Sequence, residues 1–530
     1  MDLTFKARYP SRRSPVFARN MVAGSQPLAV EAGLQMLRKG GNALDAALAT
    51  AIALVVVEPT GNGLGSDAFC ILWDGKELHG LNASGRSPAA WSPDRFSDRQ
   101  QMPERGWESV TVPGAVSAWV DLSRRFGKLP FATLFEPAIR YAEDGFHVSP
   151  VIAYLWQRGA ELLGKQPGFA EAFMPNGRAP AAGELFVNKP LARSLRLIAE
   201  TEGESFYRGE LAERIAAYAA EHGAAMTRDD LAAHTNDWCG TISQQFTSES
   251  LHEIPPNGQG IAALMALGIL KHTDIARLAP DSTDSWHLQI EAMKLAFADV
   301  NEHVADPHAM TAVTAQKLLD ADFLAQRAKL IKRDQAQVFG PGAPRDGGTV
   351  CLATGDASGM MVSYIQSNYA GFGSGVVVPG TGISLQNRGF GFSLKKDHPN
   401  VVAGNKRPFH TIIPGFIMSG DEPQMAFGLM GGPMQAQGHV QMFLRTQIWG
   451  QDPQTAADAP RWRVISGNKV AVETAGNANE LAELEARGHQ LIHESPEEAF
   501  GFGGAQLVHR IPGGYVAGSD PRKDGMAAGF

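Results

Sequence analysis

Five residues, Asp346-Gly347-Gly348-Thr349-Val350, restrict the form of this chain more than any other stretch. Two glycines precede a Thr, and Val350 to Thr354 that follow are mostly β-prone. Gly355-Asp356-Ala357-Ser358-Gly359 reads as a turn, and Met360 to Ile365 as a second strand, so a hairpin begins at Thr349. Residues 331 to 348 read as a linker: Lys332, Arg333 and Asp334 lead into Phe339-Gly340-Pro341-Gly342-Ala343-Pro344-Arg345. A cut between Gly348 and Thr349 would give Thr349 a free α-amine with a pKa of about 7.7–8.0, able to take the proton of its own hydroxyl. Glycine tolerates the bend that brings that hydroxyl to the Gly348 carbonyl. By itself, Gly-Gly-Thr before a strand is usually only a turn entering a sheet.

Composition removes several classes. At 530 residues, length alone suggests about three domains. A 44% hydrophobic and 19% charged chain is ordinary for a water-soluble fold. The net charge of −8, with no long Lys/Arg run, argues against a nucleic-acid surface. Cys70, Cys239 and Cys351 are far apart, which suggests neither a disulfide framework nor a zinc site, and the histidines show no HExxH. No metal and no cofactor are expected. Met1 to Asn20 is polar and basic and lacks the apolar core of a signal peptide. Ala46 to Val57 is too short to span a bilayer. The expectation is a cytoplasmic protein without membrane contact.

Along the chain, Ser25 is expected to cap a helix with Pro27 in its first turn and Val30, Leu34 and Leu37 on one face. Asn42 is expected to cap a second helix carrying Asp45 in its first turn. Glu58 to Asp67 is a glycine-rich loop entering a strand at Ala68, and it lacks both GxGxxG and the P-loop Lys. His147, His222 and His234 read as surface or satisfied histidines. Trp286, Ile290, Met293 and Phe297 form one helix face. Met425 to Leu429 reads as a strand, Met430-Gly431-Gly432-Pro433 as a turn and Gln435 to Trp449 as a helix. Strand, Gly-Gly and helix start can aim two backbone N–H groups as an oxyanion hole. The same residues also read as a plain tight turn.

The runs Gln366-Ser367-Asn368-Tyr369-Ala370-Gly371-Phe372-Gly373-Ser374-Gly375 and Pro379-Gly380-Thr381-Gly382-Ile383-Ser384-Leu385-Gln386-Asn387-Arg388-Gly389 resemble the small-subunit core of the gamma-glutamyltranspeptidase family. Glu58 to Asp67, Leu81 to Pro88, Val110 to Val116, Pro255 to Gly260 and His287 to Ala292 also resemble it, in the family's order. The resemblance implies an α/β (α+β) N-terminal-nucleophile hydrolase: a four-layer αββα sandwich forming one interlocked domain. It implies a self-cleaving proenzyme, with residues 1–348 as the large subunit and 349–530, which carries the nucleophile, as the small. The partners implied are a small-molecule amide and the two subunits, a heterodimer able to pair further.

By the same resemblance Thr349 is the nucleophile, Ser367 holds its amino end, and Gly431 and Gly432 bind the oxyanion. Asn387, Arg388, His410 and Thr411 line the acyl site. Three departures separate the chain from glutamyl-specific members. Ala89 to Pro93 has no Arg in the α-carboxylate position, Arg95 being out of register. No acid follows Asn387, and His410-Thr411 replaces two serines. Arg388 is therefore read two ways, as the partner of a small anionic acyl group of oxamate or glutaryl type or as half of a structural ion pair. An unprocessed, non-enzymatic homologue is the reading from another class. A Ser-His-Asp hydrolase lacks a GxSxG elbow.

Overall fold

Side-chain alternation along the Thr349 hairpin sets up the layers. In the computed structural model, which describes residues 13–339, 348–495 and 500–530, the hairpin strands are Gly348–Gly355 and Met361–Tyr369. Val350 and Leu352 face one hydrophobic layer, while Cys351 and Ala353 face another. Both faces are apolar, so the hairpin must lie in the middle of a stack.

It is the centre of a seven-stranded antiparallel sheet. Gly348–Gly355 pairs with Met21–Gly24, and Met361–Tyr369 pairs with Asp67–Trp73. A second seven-stranded antiparallel sheet faces it, built around Pro414–Ser419, Glu422–Leu429 and Ala505–Ile511. Between the sheets lie Phe69, Ile71, Cys351, Ile365, Phe416, Met430 and Val508. The Ser363 hydroxyl donates to the Phe427 carbonyl at 2.6 Å and ties the sheets together. The expected αββα sandwich is the observed fold.

The outer layers are helical. Ala43–Val57 is buried on every side, because it lies under the hairpin sheet and above further helices. Asn42 caps it as expected, and with Asp45 forms a capping box. Ser25 does not cap the preceding helix, Pro27–Arg38; Gln26 holds that position, and the Ser25 hydroxyl donates to Glu58 at 2.5 Å. A buried carboxylate is the stronger acceptor, so the hydroxyl turns away from the helix. On the far side, Gly260–Leu270, Thr283–His303 and Met434–Phe443 cover the second sheet, and Trp286, Ile290, Met293 and Phe297 are core as expected.

The linker expected ahead of Thr349 is described only as far as Phe339; Gly340 to Gly347 and the basic stretch Met1 to Arg12 lie outside the described residues. Among the described residues no helix is long and apolar enough to cross a membrane.

Candidate active site

Thr349 sits at the start of its strand, 1% exposed, beside a register shift between Gly348 and Val350. Its Oγ1 donates to Ser367 Oγ at 3.3 Å, and Ser367 Oγ also accepts the Tyr369 N–H at 2.8 Å. Tyr369 takes a left-handed backbone, φ +77°, a conformation that non-glycine residues hold only where the surroundings impose it.

The glycine-rich loop packs against this point. Gly61 accepts the Asn368 N–H at 3.0 Å, and a Cβ on Gly61 would lie 3.2 Å from the Thr349 carbonyl oxygen. Side chains at Gly63 and Gly65 would collide with Ser384, at 2.1 Å and 2.3 Å. The glycines thus serve close backbone approach.

Opposite Thr349 is the turn after Glu422–Leu429. Gly431 has φ +111° and Gly432 φ +58°, conformations natural to glycine. Their carbonyls accept the N–H groups of Met434 and Gln435 and start the helix Met434–Phe443. Among the described residues no hydrogen bond uses the N–H of Gly431 or Gly432. Gln259 Nε2 reaches the Gly432 carbonyl at 2.8 Å and the Thr411 carbonyl at 2.5 Å, which joins the turn to the next group of residues.

That group centres on Arg388. The side chain is 2% exposed; its Nη1 donates to Thr411 Oγ1 at 2.8 Å and its guanidinium lies 4.6 Å from the centre of the Tyr369 ring. Among the described residues its Nε and Nη2 have no hydrogen-bond partner. Burial lowers the guanidinium to about 10, with Asp67 pulling the other way, so it stays charged at neutral pH. Asp67 and Tyr369 lie on strands and Thr411 on the connection ahead of Pro414–Ser419, brought together from distant sequence.

His410 lies behind Arg388 and is fully buried. Burial, then the charges of Arg388 and Arg407, holds it well below its usual value, so the ring is neutral. Its Nε2 donates to Asp67 Oδ2 at 3.1 Å and its Nδ1 accepts the Ile412 N–H at 3.3 Å, which occupies both ring nitrogens. Asp67 Oδ1 accepts the N–H groups of Gly85 and Gly114. Burial pushes Asp67 up to about 7 against the Arg388 charge and those bonds. The Asn387 side chain is likewise occupied, accepting from Ala370 N and donating to the Glu104 carbonyl.

The structure thus gathers Thr349, Ser367, Gly431, Gly432, Asn387, Arg388, His410 and Thr411 into one buried, connected region. Arg95 is elsewhere, in a surface pair with Glu108 at 2.7 Å. Sequence reading missed Asp67, Gln259 and Gln435. Gln435 is fully buried and its Nε2 donates to Thr349 Oγ1 at 3.4 Å. No sequence signal singled it out, because the same helix, Met434–Phe443, also carries Gln437, His439 and Gln441. The histidine expectations divide: His147 and His222 are exposed, whereas His234 is buried against Tyr207 and bonds Ser117 Oγ at 2.9 Å.

Among the described residues two clusters have metal-ligating composition. In His287–Glu291–His489 the two rings bond each other at 2.9 Å and the Lys294 ammonium already sits on Glu291 at 2.7 Å. Asp74–Glu77–His79 lies near the surface, away from Thr349.

Two facing antiparallel sheets between helical layers, with a Thr at the head of a central strand and a glycine pair opposite, define an N-terminal-nucleophile hydrolase. The gamma-glutamyltranspeptidase family model matches residues 29–530. The chain is 36% identical to the glutathione hydrolase-like YwrD proenzyme of Bacillus subtilis, over 98% of this chain and 100% of that protein. It is 37% identical to the oxamate amidohydrolase proenzyme of Klebsiella pneumoniae, over 98% of this chain and 99% of that one. Among solved structures, cephalosporin acylase from Bacillus halodurans superposes with a TM-score of 0.95 and 46% identity, covering 100% of this chain and 99% of that one. The chain belongs to the gamma-glutamyltranspeptidase family, and with it to the amide-bond hydrolases and acyltransferases made as proenzymes.

Proposed function

We propose that this enzyme cuts itself between Gly348 and Thr349 and then hydrolyses small amides whose acyl group carries its own carboxylate. The observation that carries the reading is Arg388: a charged, buried guanidinium with Nε and Nη2 unpartnered. A buried donor left unpaired costs about 1–3 kcal/mol, more when charged, and a carboxylate relieves that cost with two parallel bonds.

In the mature enzyme the Thr349 amine takes the proton from Oγ1 as Oγ1 bonds to the amide carbon. The carbonyl electrons move to oxygen and are held by the Gly431 and Gly432 N–H groups. The leaving amine departs with the proton from the ammonium. Water then adds to the acyl-enzyme, its proton passing to the same amine, and Oγ1 is reprotonated as the acid leaves. Ser367 orients Thr349, Thr411 holds Arg388, Asn387 holds the Ala370 backbone, and His410, both ring nitrogens occupied, fixes Asp67.

A γ-glutamyl donor would bring an α-ammonium toward Arg388. Asp67 is the carboxylate at hand, and it is engaged by His410, Gly85 and Gly114. The enzyme is accordingly a poor γ-glutamyltransferase. The two subunits stay together because the Thr349 strand is paired on both sides by strands of the large subunit and its own hairpin partner. The free Cys70, Cys239 and Cys351 suit a reducing, cytoplasmic setting.

The test is a denaturing gel followed by an amide panel. Wild type should resolve into bands of about 37 and about 20 kDa, and Thr349→Ala should stay whole. Glutaryl- or oxamate-type amides should show a higher kcat/KM than γ-glutamyl amides. A wild-type chain intact after long incubation at pH 7–8, or one preferring γ-glutamyl amides, would overturn the reading.

A further inference from the structure

We propose that Gln435 is a catalytic residue, donating a hydrogen bond to the nucleophilic oxygen of Thr349 and stabilising the charge that oxygen carries as the acyl bond forms and breaks. This rests on the reading of Thr349 as nucleophile. Three observations lead to it. Gln435 is fully buried in the first turn of Met434–Phe443, directly after the glycine pair. Its Oε1 accepts the Ile413 N–H at 2.9 Å, so the amide cannot be turned over and the NH2 must be the end aimed at Thr349. That Nε2 lies 3.4 Å from Thr349 Oγ1, a contact of the kind that shortens when substrate is bound.

The bond directions form one chain. Gln435 Nε2 donates to Thr349 Oγ1, Thr349 Oγ1 donates to Ser367 Oγ, and Ser367 Oγ also accepts from Tyr369 N. Thr349 Oγ1 therefore acts as acceptor and donor at once. When the proton leaves for the Thr349 amine and Oγ1 bonds to carbon, the Gln435 N–H faces an oxygen bearing partial negative charge. When the acyl-enzyme collapses, Oγ1 departs with that charge restored before it is reprotonated. In both steps the amide moves no proton; it is a fixed dipole already aimed at the reacting atom, the arrangement in which electrostatic stabilisation is most effective. The same N–H serves self-cleavage, because Gly348–Thr349 is broken by the same oxygen.

The backbone around it is built to hold this aim. Gln435 N donates to the Gly432 carbonyl, whose oxygen also accepts from Gln259 Nε2. The donor to Oγ1 and the two oxyanion donors thus belong to one rigid unit, and a shift in one shifts all three.

Gln435→Glu and Gln435→Met test the proposal, with kcat, KM and the rate of self-cleavage read from pH 5.5 to 8.5 on a glutaryl-type amide. Gln435→Glu keeps the Oε1 acceptor for Ile413. At high pH its carboxylate faces the developing charge; at low pH its carboxyl O–H replaces the lost donor. The ratio of variant to wild-type kcat should therefore rise by about 10-fold or more as the pH falls, a change a merely structural role would not cause. Gln435→Met should lower kcat by about 10–10²-fold and leave KM within about 3-fold. A ratio independent of pH in Gln435→Glu, or wild-type kcat in Gln435→Met, overturns the role of Gln435. Thr349→Ala, run beside them, separates the two readings: activity or processing in that variant defeats the nucleophile, whereas an inert Thr349→Ala with an unaffected Gln435 series defeats this inference alone.

Discussion

Arg522 and Arg388 are both buried guanidiniums in this chain, and the fold treats them in opposite ways. Arg522 uses all three nitrogens: it meets Glu473 through Nε and Nη2 and Asp520 and Ala457 through Nη1, and it reaches the Ala459 carbonyl. Burial lowers its basicity, but Asp520 and Glu473 more than offset that and raise it. For Arg388 burial wins, and two of its three nitrogens have no hydrogen-bond partner among the described residues. Burying a charge is therefore no sign of function. Burying one with two of its three nitrogens unmet among the described residues points to a ligand as the missing partner.

The strongest way to break this comparison is to remove Arg522. Arg522→Met leaves Glu473 without its ion-pair partner and Asp520 with Arg461 alone, and should cost about 3–5 kcal/mol of stability, read by urea unfolding. The processed fraction should keep the wild-type substrate preference. A loss under about 1 kcal/mol would mean that the fully bonded cluster does not brace the fold.

Gly431→Ala comes next and separates frame from site. At φ +111°, with a Cβ 3.2 Å from Gly503 Cα, the residue must rotate its N–H away. Losing one oxyanion donor costs about 2.7–4 kcal/mol, or about 10²–10³ in kcat. Turnover near that of wild type in a folded, processed variant would take this turn out of the reaction.

Arg388→Met should act on specificity and spare the fold. Stability should hold within about 1 kcal/mol or rise, since a poorly paired charge has been replaced by an apolar chain of similar reach. Meanwhile kcat/KM for anionic acyl amides should fall by about 1.5–3 kcal/mol, with neutral acyl amides little changed. Equal losses on both substrate types would assign Arg388 to structure and erase its difference from Arg522.

The smallest effect is in the acid titration. Burial raises Asp520, but Arg461 and Arg522 outweigh it and hold it at about 2, below its ordinary 3.8. Its contribution, about 2 kcal/mol, is complete above pH 4 and is lost as pH falls through about 2. Asp67, raised to about 7, has the opposite sign: the unfolded chain ionises first, so stability declines as pH rises from about 4 to 7. Urea midpoints measured across pH 2–7 should thus rise and then fall. Arg522→Met should shrink the acid limb, since Arg461 alone is left facing Asp520, and Arg388→Met should extend the decline to higher pH, since it removes the cation that pulls Asp67 down.

Several features of the fold were legible without coordinates because they are local. The hairpin beginning at Thr349 follows from β-prone residues around a Gly-Asp-Ala-Ser-Gly turn, and the Asn42–Asp45 capping box lies within one helical turn. The strand, glycine pair and helix expected from Met425 onward are contiguous, so the turn between them could be anticipated. The Ser25 cap failed because its competitor, Glu58, lies 33 positions away.

By itself the sequence determined which residues are chemically able to act: a Thr behind glycines, a glycine pair before a helix, and an Arg where an acid is absent. Tertiary structure alone decided what each has left to offer. Asp67 meets His410 across 343 positions and Gln435 meets Thr349 across 86, so neither pairing leaves a periodic mark in the chain. Whether a buried polar group is satisfied depends on every neighbour the packing supplies, and that is a property of the folded interior rather than of any stretch of residues.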